Sequence, residues 1–278
     1  MTQQTSPVGN LGAFGLRAFR LDGRIAAVTG GGSGIGRSVA QVLAAAGARV
    51  AVADLNDEWG NATVDAIRAE GGTAFFRHTD VCDRTDLDAL VAAAVDTYGG
   101  LDIQCNIAGI PTPVVSILDV TAEDLDKELA ITLRAILYGS QAAAAVMKPA
   151  GKGAIVNVSS TMYDVPAPGR LLYYLGKQSV VAVTRILALE LGPAGIRVNA
   201  IAPGVTLTNF SNRYFVGDDG VVDEERKREW LAHGAGLSPL GITGTPEDQA
   251  LLVLYLVSDA ARFVTGQLIR ANGGWTMP

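Results

Sequence analysis

Residues Ile25-Ala26-Ala27-Val28-Thr29-Gly30-Gly31-Gly32-Ser33-Gly34-Ile35-Gly36 decide how the rest of the chain is read. Four apolar residues without polar alternation suit a strand buried on both faces of a parallel sheet. The glycine-rich turn that closes them opens directly into an amphipathic segment beginning at Ile35. In such a unit, bare backbone N–H groups can approach a pyrophosphate, whose charge the helix dipole favours. A purely structural turn would use the same residues, so context has to decide. Eighteen residues beyond Gly36, Asp54 ends a second apolar run, where a carboxylate can accept hydrogen bonds from adenosine ribose hydroxyls. The plainer reading of Asp54 is a strand-end or helix-cap aspartate. Its charge would repel a 2'-phosphate, and neither Ser33 nor Leu55 offers a cation in compensation. NAD is therefore favoured over NADP, with Arg37 within possible reach of a 2'-phosphate.

Outward from this unit, short β-branched runs alternate with longer amphipathic stretches, the pattern of βαβ units. Strands are expected at 25–29, 50–54, 74–80, 102–105, 154–159, 197–202 and 268–271, and helices at 35–46, 58–70, 84–98, 122–147, 173–191 and 246–258. The expectation is a single-domain α/β fold, a Rossmann-like doubly wound parallel sheet of about seven strands with helices on both faces. Residues 1–20 read as a surface arm and 21–278 as the domain, with an irregular insertion at about 209–244 that suits a substrate lid. Within it, the charge run from Asp223 to Glu229 reads as a solvated helix face.

Composition narrows the function. Of 278 residues, 49% are hydrophobic and 18% charged, ample for a packed core. Twenty-two basic against 28 acidic residues leave a net charge of -6, which disfavours nucleic acid as a partner. No membrane association is expected, since no uninterrupted apolar run reaches the roughly 18 residues of a span. Cys82 and Cys105, both read as strand residues, lack C-x-x-C spacing, and His78 and His233 are too few for a histidine-rich metal site. No metal is expected. The first twenty residues lack a secretory layout, and a cytoplasmic location is the expectation.

Tyr173 and Lys177 stand four apart near the start of a helix, so their side chains share a face, and Ser160 follows a strand end thirteen residues before Tyr173. Strand carboxyl ends are where such sheets place their chemistry. Taken alone, Tyr173 could be a packing aromatic and Lys177 a side chain snorkelling to water.

Together these segments resemble the short-chain dehydrogenase/reductase family, from about Leu21 to Trp275. Thr29-Gly30-x-x-x-Gly34-Ile35-Gly36 is similar to its glycine motif, Asp80-Val81 to its adenine-contacting pair, Asn106-Ile107-Ala108-Gly109 to its N-N-A-G, and Pro203-Gly204 to its P-G turn. The resemblance implies a nicotinamide dinucleotide held by Gly30, Ser33, Gly34, Ile35, Gly36, Asp54, Leu55, Asp80, Val81, Asn106, Ala108, Gly109, Pro203, Gly204, Thr206 and Thr208, with Tyr173 and Lys177. It implies Tyr173 as general base, Lys177 lowering its pKa and binding ribose, and Ser160 hydrogen-bonded to the substrate oxygen. Bringing a phenol from about 10 to about 7 needs roughly 4 kcal/mol, which one ammonium about 4 Å away at an effective dielectric near 20 supplies. Two departures stand out. Thr132 occupies the place of a catalytic Asn in the long central helix, where its hydroxyl can bond back to the i−4 carbonyl. Ile107 replaces the second Asn of N-N-A-G.

Met162, Tyr163, Asp164, Leu171, Leu172, Phe210, Tyr214 and Phe215 are expected to wall the pocket, mostly with apolar surface. That favours hydride transfer between NAD and a hydrophobic or cyclic secondary alcohol or its ketone. Asp164 leaves a polyol or sugar dehydrogenase as the alternative, and a nucleotide-binding regulator with lapsed catalysis is the alternative of another class. The helices 122–147, including Ala142 to Val146, and 173–191 are apolar around much of their circumference, and the family pairs these two in tetramers, so a homotetramer is expected.

Overall fold

The computed structural model describes residues 15–217 and 219–278. Seven strands, β1 (Ile25–Thr29), β2 (Arg49–Asp54), β3 (Thr73–His78), β4 (Ile103–Asn106), β5 (Gly153–Val158), β6 (Ile196–Ile201) and β7 (Leu268–Ile269), form one sheet. Their order is β3-β2-β1-β4-β5-β6-β7 and every pairing is parallel. Strand order therefore reverses between β1 and β4, which opens a crevice at their carboxyl ends.

Among the described residues, the strands are connected by the helices α1 (Gly34–Ala45), α2 (Asp57–Ala69), α3 (Arg84–Tyr98), α4 (Ala122–Leu129), α5 (Ala135–Ala150), α6 (Leu171–Leu191), α7 (Glu224–Leu237) and α8 (Pro246–Val257). On one face Val28, Val50, Val52 and Val156 pack against Val39 and Leu43 of α1 and Val253 and Leu256 of α8. On the other, Ala27, Ala51, Ile155 and Val198 meet Leu90 of α3, Met147 of α5 and Leu187 of α6. This two-sided burial explains why β1 carries no polar alternation.

Helix starts follow local chemistry. Asn56 caps α2 by accepting from the Trp59 N–H, Thr121 and Thr245 form capping boxes before α4 and α8, and Asp223 accepts from Glu225 and Arg226 at the start of α7. The charge run 223–229 is thus the solvated first half of a helix within the insertion. A 3-10 segment, Asn209–Tyr214, precedes it.

Several boundaries differ from the expectation. Strand β3 stops at His78; the Thr79 N–H still donates to the Asp54 carbonyl at 3.0 Å, and Thr79 and Asp80 border the crevice. The chain leaves β7 after Ile269 because Arg270 turns away to pair with Asp164. Cys105 is buried in β4, but Cys82 is exposed in the turn after β3 and is not a strand residue. The expected helix 122–147 is interrupted by a π turn, Ala130–Arg134, where the Thr132 hydroxyl donates to the Glu128 carbonyl at 2.6 Å. The whole stretch Ala122–Ala150 passes a length-and-composition test for a membrane span, yet Ala142, Ala143 and Met147 are buried in this fold. Ala142, Ala143 and, in part, Val146 of this apolar run therefore serve the chain's own core.

Of the expected arm, residues 1–14 lie outside the described residues. Its end is docked: the Ala18 carbonyl accepts from Ala260 at 3.1 Å, and the Phe19 ring lies 6.3 Å from that of Tyr255.

Candidate active site

The β1–α1 turn is shaped by what it excludes. Gly30 has φ +65, and a Cβ there would sit 2.8 Å from the Ala108 Cα, while a Cβ on Gly36 would overlap the Gly30 carbonyl oxygen. The backbone of β1, α1 and the β4 loop is thereby brought close enough to leave a shallow cradle at the start of α1. Ser33 occupies the N-cap but makes no side-chain cap bond, so its hydroxyl does not take up the first helical N–H groups, and Ser33 to Gly36 border the cavity. These features fit a dinucleotide pyrophosphate.

A cavity of about 850 Å³ runs along the crevice. It is lined by Gly30, Ser33, Gly34, Ile35, Gly36, Asp54, Leu55, Asp80, Val81, Ala108, Gly109, Ser160, Tyr173, Lys177, Pro203, Gly204, Thr206 and Thr208, every site position that the sequence named apart from two. The exceptions are Asn106 and Thr132. Asn106 is buried beneath the cavity floor, accepting from Gln104 at 2.9 Å and donating to Ser140 at 3.2 Å and Asn157 at 2.8 Å. It ties β4 to β5 and α5 and does not reach the crevice. Thr132 spends its hydroxyl on the Glu128 carbonyl and is likewise absent from the lining. Below the loop, the Thr29 hydroxyl accepts from Ile107 at 3.1 Å, a support for the segment in which Ile107 replaces the amide side chain.

Asp54 is held from both sides: Oδ2 accepts from Gly32 at 2.8 Å and Oδ1 from Asn56 at 2.9 Å. Its carboxylate both orders the turn and borders the cavity, so the structural and ligand-binding readings are compatible in one residue.

Ser160, Tyr173 and Lys177 come together from β5's end and the first turns of α6. The Ser160 Oγ accepts from the Met162 N–H at 3.1 Å, and its own hydroxyl is within hydrogen-bonding reach of the Tyr173 phenol. Lys177 is buried, donates from Nζ to the Val158 carbonyl at 3.0 Å, and lies 5.6 Å from the centre of the Tyr173 ring. Burial draws its ammonium down to about 8, with the Glu128 carboxylate opposing. Burial also pushes the Tyr173 phenol above its ordinary value, against a hydrogen bond to Ser160 that lowers it, and Glu128 adds to the rise. Desolvation is the largest influence on both groups.

Glu128 was not singled out in the sequence. It is 3% exposed, its Oε2 accepts the Thr112 hydroxyl at 2.6 Å, and its Oε1 has no hydrogen-bond partner. Nothing in the alternating charges of 123–128 marks one carboxylate as inward-facing.

The outer half of the cavity differs more from the expectation. Met162, Phe210 and Tyr214 line it, whereas Tyr163, Asp164, Leu171, Leu172 and Phe215 do not. Phe215 is core, packed 5.7 Å from Trp230. Asp164 is committed to Arg270, at 2.6 and 2.8 Å, and to the Thr276 hydroxyl at 2.9 Å, so it is no free acceptor for a polyol. The Arg270 guanidinium holds its carboxyl below the usual range, against burial that would raise it. In their place stand Ile110, Arg170, Arg213, Trp230, His233 and Trp275, brought from four separate segments.

A glycine-rich dinucleotide cradle opening onto a serine, a tyrosine and a lysine at strand carboxyl ends defines a nicotinamide-dependent oxidoreductase. Residues 30–276 match the family model described as enoyl-(acyl carrier protein) reductase. The chain is 38% identical to a 2,5-dichloro-2,5-cyclohexadiene-1,4-diol dehydrogenase of Sphingobium indicum, covering 92% of this chain and 98% of that protein. It is 35% identical to (+)-borneol dehydrogenase 2 of Salvia officinalis, covering 93% and 91% respectively. Among solved structures, 7α-hydroxysteroid dehydrogenase complexed with NADH and 7-oxo glycochenodeoxycholic acid superposes with a TM-score of 0.84 at 32% identity, over 93% of this chain and 96% of that one. The chain belongs to the short-chain dehydrogenase/reductase family, and it is an oxidoreductase acting on CH–OH groups with a nicotinamide cofactor.

Proposed function

We propose that the protein interconverts a hydrophobic or cyclic secondary alcohol and its ketone with NAD, using Ser160, Tyr173 and Lys177. The carrying observation is their convergence on a cavity whose other end is the dinucleotide cradle. The relatives described above act on a cyclic diol, on borneol and on a steroid, and the aromatic and apolar side chains of the outer half, Met162, Phe210, Trp230 and Trp275, suit such rings. When bound, the nicotinamide supplies the hydride acceptor and a positive charge beside the phenol.

The chain's own residues do the rest. Ser160, whose hydroxyl lies beside the Tyr173 phenol, turns its proton to the substrate oxygen and fixes the alcohol carbon. Tyr173 accepts the hydroxyl proton at its phenol oxygen and returns it during ketone reduction. Lys177 spends one N–H on Val158 and keeps two for the cofactor ribose, which anchors its charge beside Tyr173. Asp54, fixed by Gly32 and Asn56 at the border of the cavity, supports NAD over NADP, because its charge would repel a 2'-phosphate bound beside it. The domain comprises 21–278 with the 209–244 insertion as its lid, and the functional particle is a homotetramer, for which exposed Leu175, Ile186 and Leu189 on α6 supply apolar surface.

Tyr173→Phe tests the assignment. It is expected to lower kcat about 10²- to 10⁴-fold with cofactor affinity retained. Near-normal turnover would sink the proposal. Matched kcat/KM values with NAD and NADP should favour NAD, and Asp54→Ala should narrow that preference.

A further inference from the structure

The outer half of the cavity holds an arrangement that ring recognition does not use. Arg213 donates to the Tyr214 hydroxyl at 2.9 Å, and Arg170 approaches the same oxygen at 3.4 Å. Two guanidinium groups thus close on one atom. Neither forms an ion pair with a carboxylate among the described residues. Among the described residues, the carboxylates lining the cavity are Asp54 and Asp80, at its dinucleotide end. Glu128 is connected to Arg213 only through Thr112, whose hydroxyl it accepts and whose carbonyl accepts from Arg213 at 3.3 Å.

Two like charges held together without a counter-ion repel, and an anion placed between them relieves the repulsion while gaining charge-assisted hydrogen bonds. Burial by itself would raise the Tyr214 phenol, yet the hydrogen bonds from Arg170 and Arg213 leave it below its ordinary value, as a strongly positive surrounding requires. The pair is also well placed relative to the chemistry. The Phe210 ring lies 6.3 Å from that of Tyr173, and the Arg213 guanidinium lies 4.8 Å above the centre of Phe210. One aromatic ring therefore separates the catalytic phenol from the cationic mouth.

We propose that the substrate is a ring alcohol bearing a carboxylate remote from the reacting carbon, held by Arg170 and Arg213 with the Tyr214 hydroxyl. This deepens the secondary-alcohol reading and rests on it. Each arginine retains N–H donors beyond those it spends on Tyr214 and Thr112, enough for a carboxylate to be gripped from both sides.

The probes are 4-hydroxycyclohexane-carboxylate, -acetate and -propanoate, each compared with its methyl ester. In the wild-type protein at least one acid should exceed its ester in kcat/KM by about 10-fold or more, chiefly through KM, and the advantage should shrink with added salt. Arg170→Gln and Arg213→Gln should each reduce that acid-to-ester ratio, with Arg170→Lys intermediate. Because Arg213 also stacks on Phe210, the salt dependence in the wild type serves as the readout that needs no variant. Esters turned over as well as their acids at low salt would overturn the carboxylate assignment and leave the alcohol dehydrogenase reading standing. Arginine variants that weaken cofactor binding while leaving the acid-to-ester ratio unchanged would overturn it too, by assigning the pair to cofactor phosphate. No turnover of any ring alcohol, acid or ester, would overturn both.

Discussion

At the scale of single residues, the site is governed by desolvation. A lysine whose ammonium is drawn down to about 8 in the folded chain binds fewer protons there than in the unfolded chain up to its ordinary value of 10.5. Stability therefore rises with pH across that window, and the penalty is fully present below about 8. Relative to Lys177→Met, the wild-type protein should gain roughly 3 kcal/mol of unfolding free energy between pH 7.5 and 10.5, measured by urea titration. A flat difference would mean that Lys177 is solvated. Glu128 raises both Lys177 and Tyr173, so Glu128→Gln should lower both and move the pH–rate profile towards acid. An unmoved profile with reduced stability would make Glu128 structural only.

At the scale of elements, the π turn and α6 meet at Gly176. A Cβ there would lie 2.5 Å from Glu128 Oε1 and 2.6 Å from Thr132 Oγ1. Gly176→Ala should cost about 1–3 kcal/mol through overpacking and lower kcat, because the same helix carries Tyr173 and Lys177. Paired melts and turnover measurements check both. The carboxyl-terminal segment is fastened in a different way. Asp164 and Arg270 form an ion pair with side chains 8% and 23% exposed, and Thr276 joins it. This fastening positions Trp275 against the cavity. Arg270→Met leaves a largely buried carboxylate unpaired and should cost about 2–3 kcal/mol, with a raised KM as Trp275 loosens. An unchanged KM would show that Trp275 is held by other contacts.

At the scale of the whole molecule, the strand-order reversal between β1 and β4 concentrates the chemistry at one edge and leaves the outer face of α6 free. Leu175, Ile186 and Leu189 fall on one side of that helix and are 41%, 55% and 74% exposed. If this side is an interface in the proposed tetramer, Ile186→Lys combined with Leu189→Glu should yield a smaller particle by analytical ultracentrifugation. A wild-type protein that sediments as a monomer at micromolar concentration would refute the assembly.

The sequence by itself determined the strand–turn–helix unit, the alternation of strands and helices, and the dinucleotide cradle together with Ser160, Tyr173 and Lys177. Each depends on local chemistry or fixed spacing: glycines where backbones touch, an i, i+4 pair, apolar runs buried on both faces. Only the tertiary structure decided the fates of Asn106, Thr132 and Asp164, because a polar side chain's role depends on which partner the fold delivers. It likewise decided the cavity's outer wall, where Arg170, Arg213, Trp230 and Trp275 are far apart in the chain and no periodicity records that they meet.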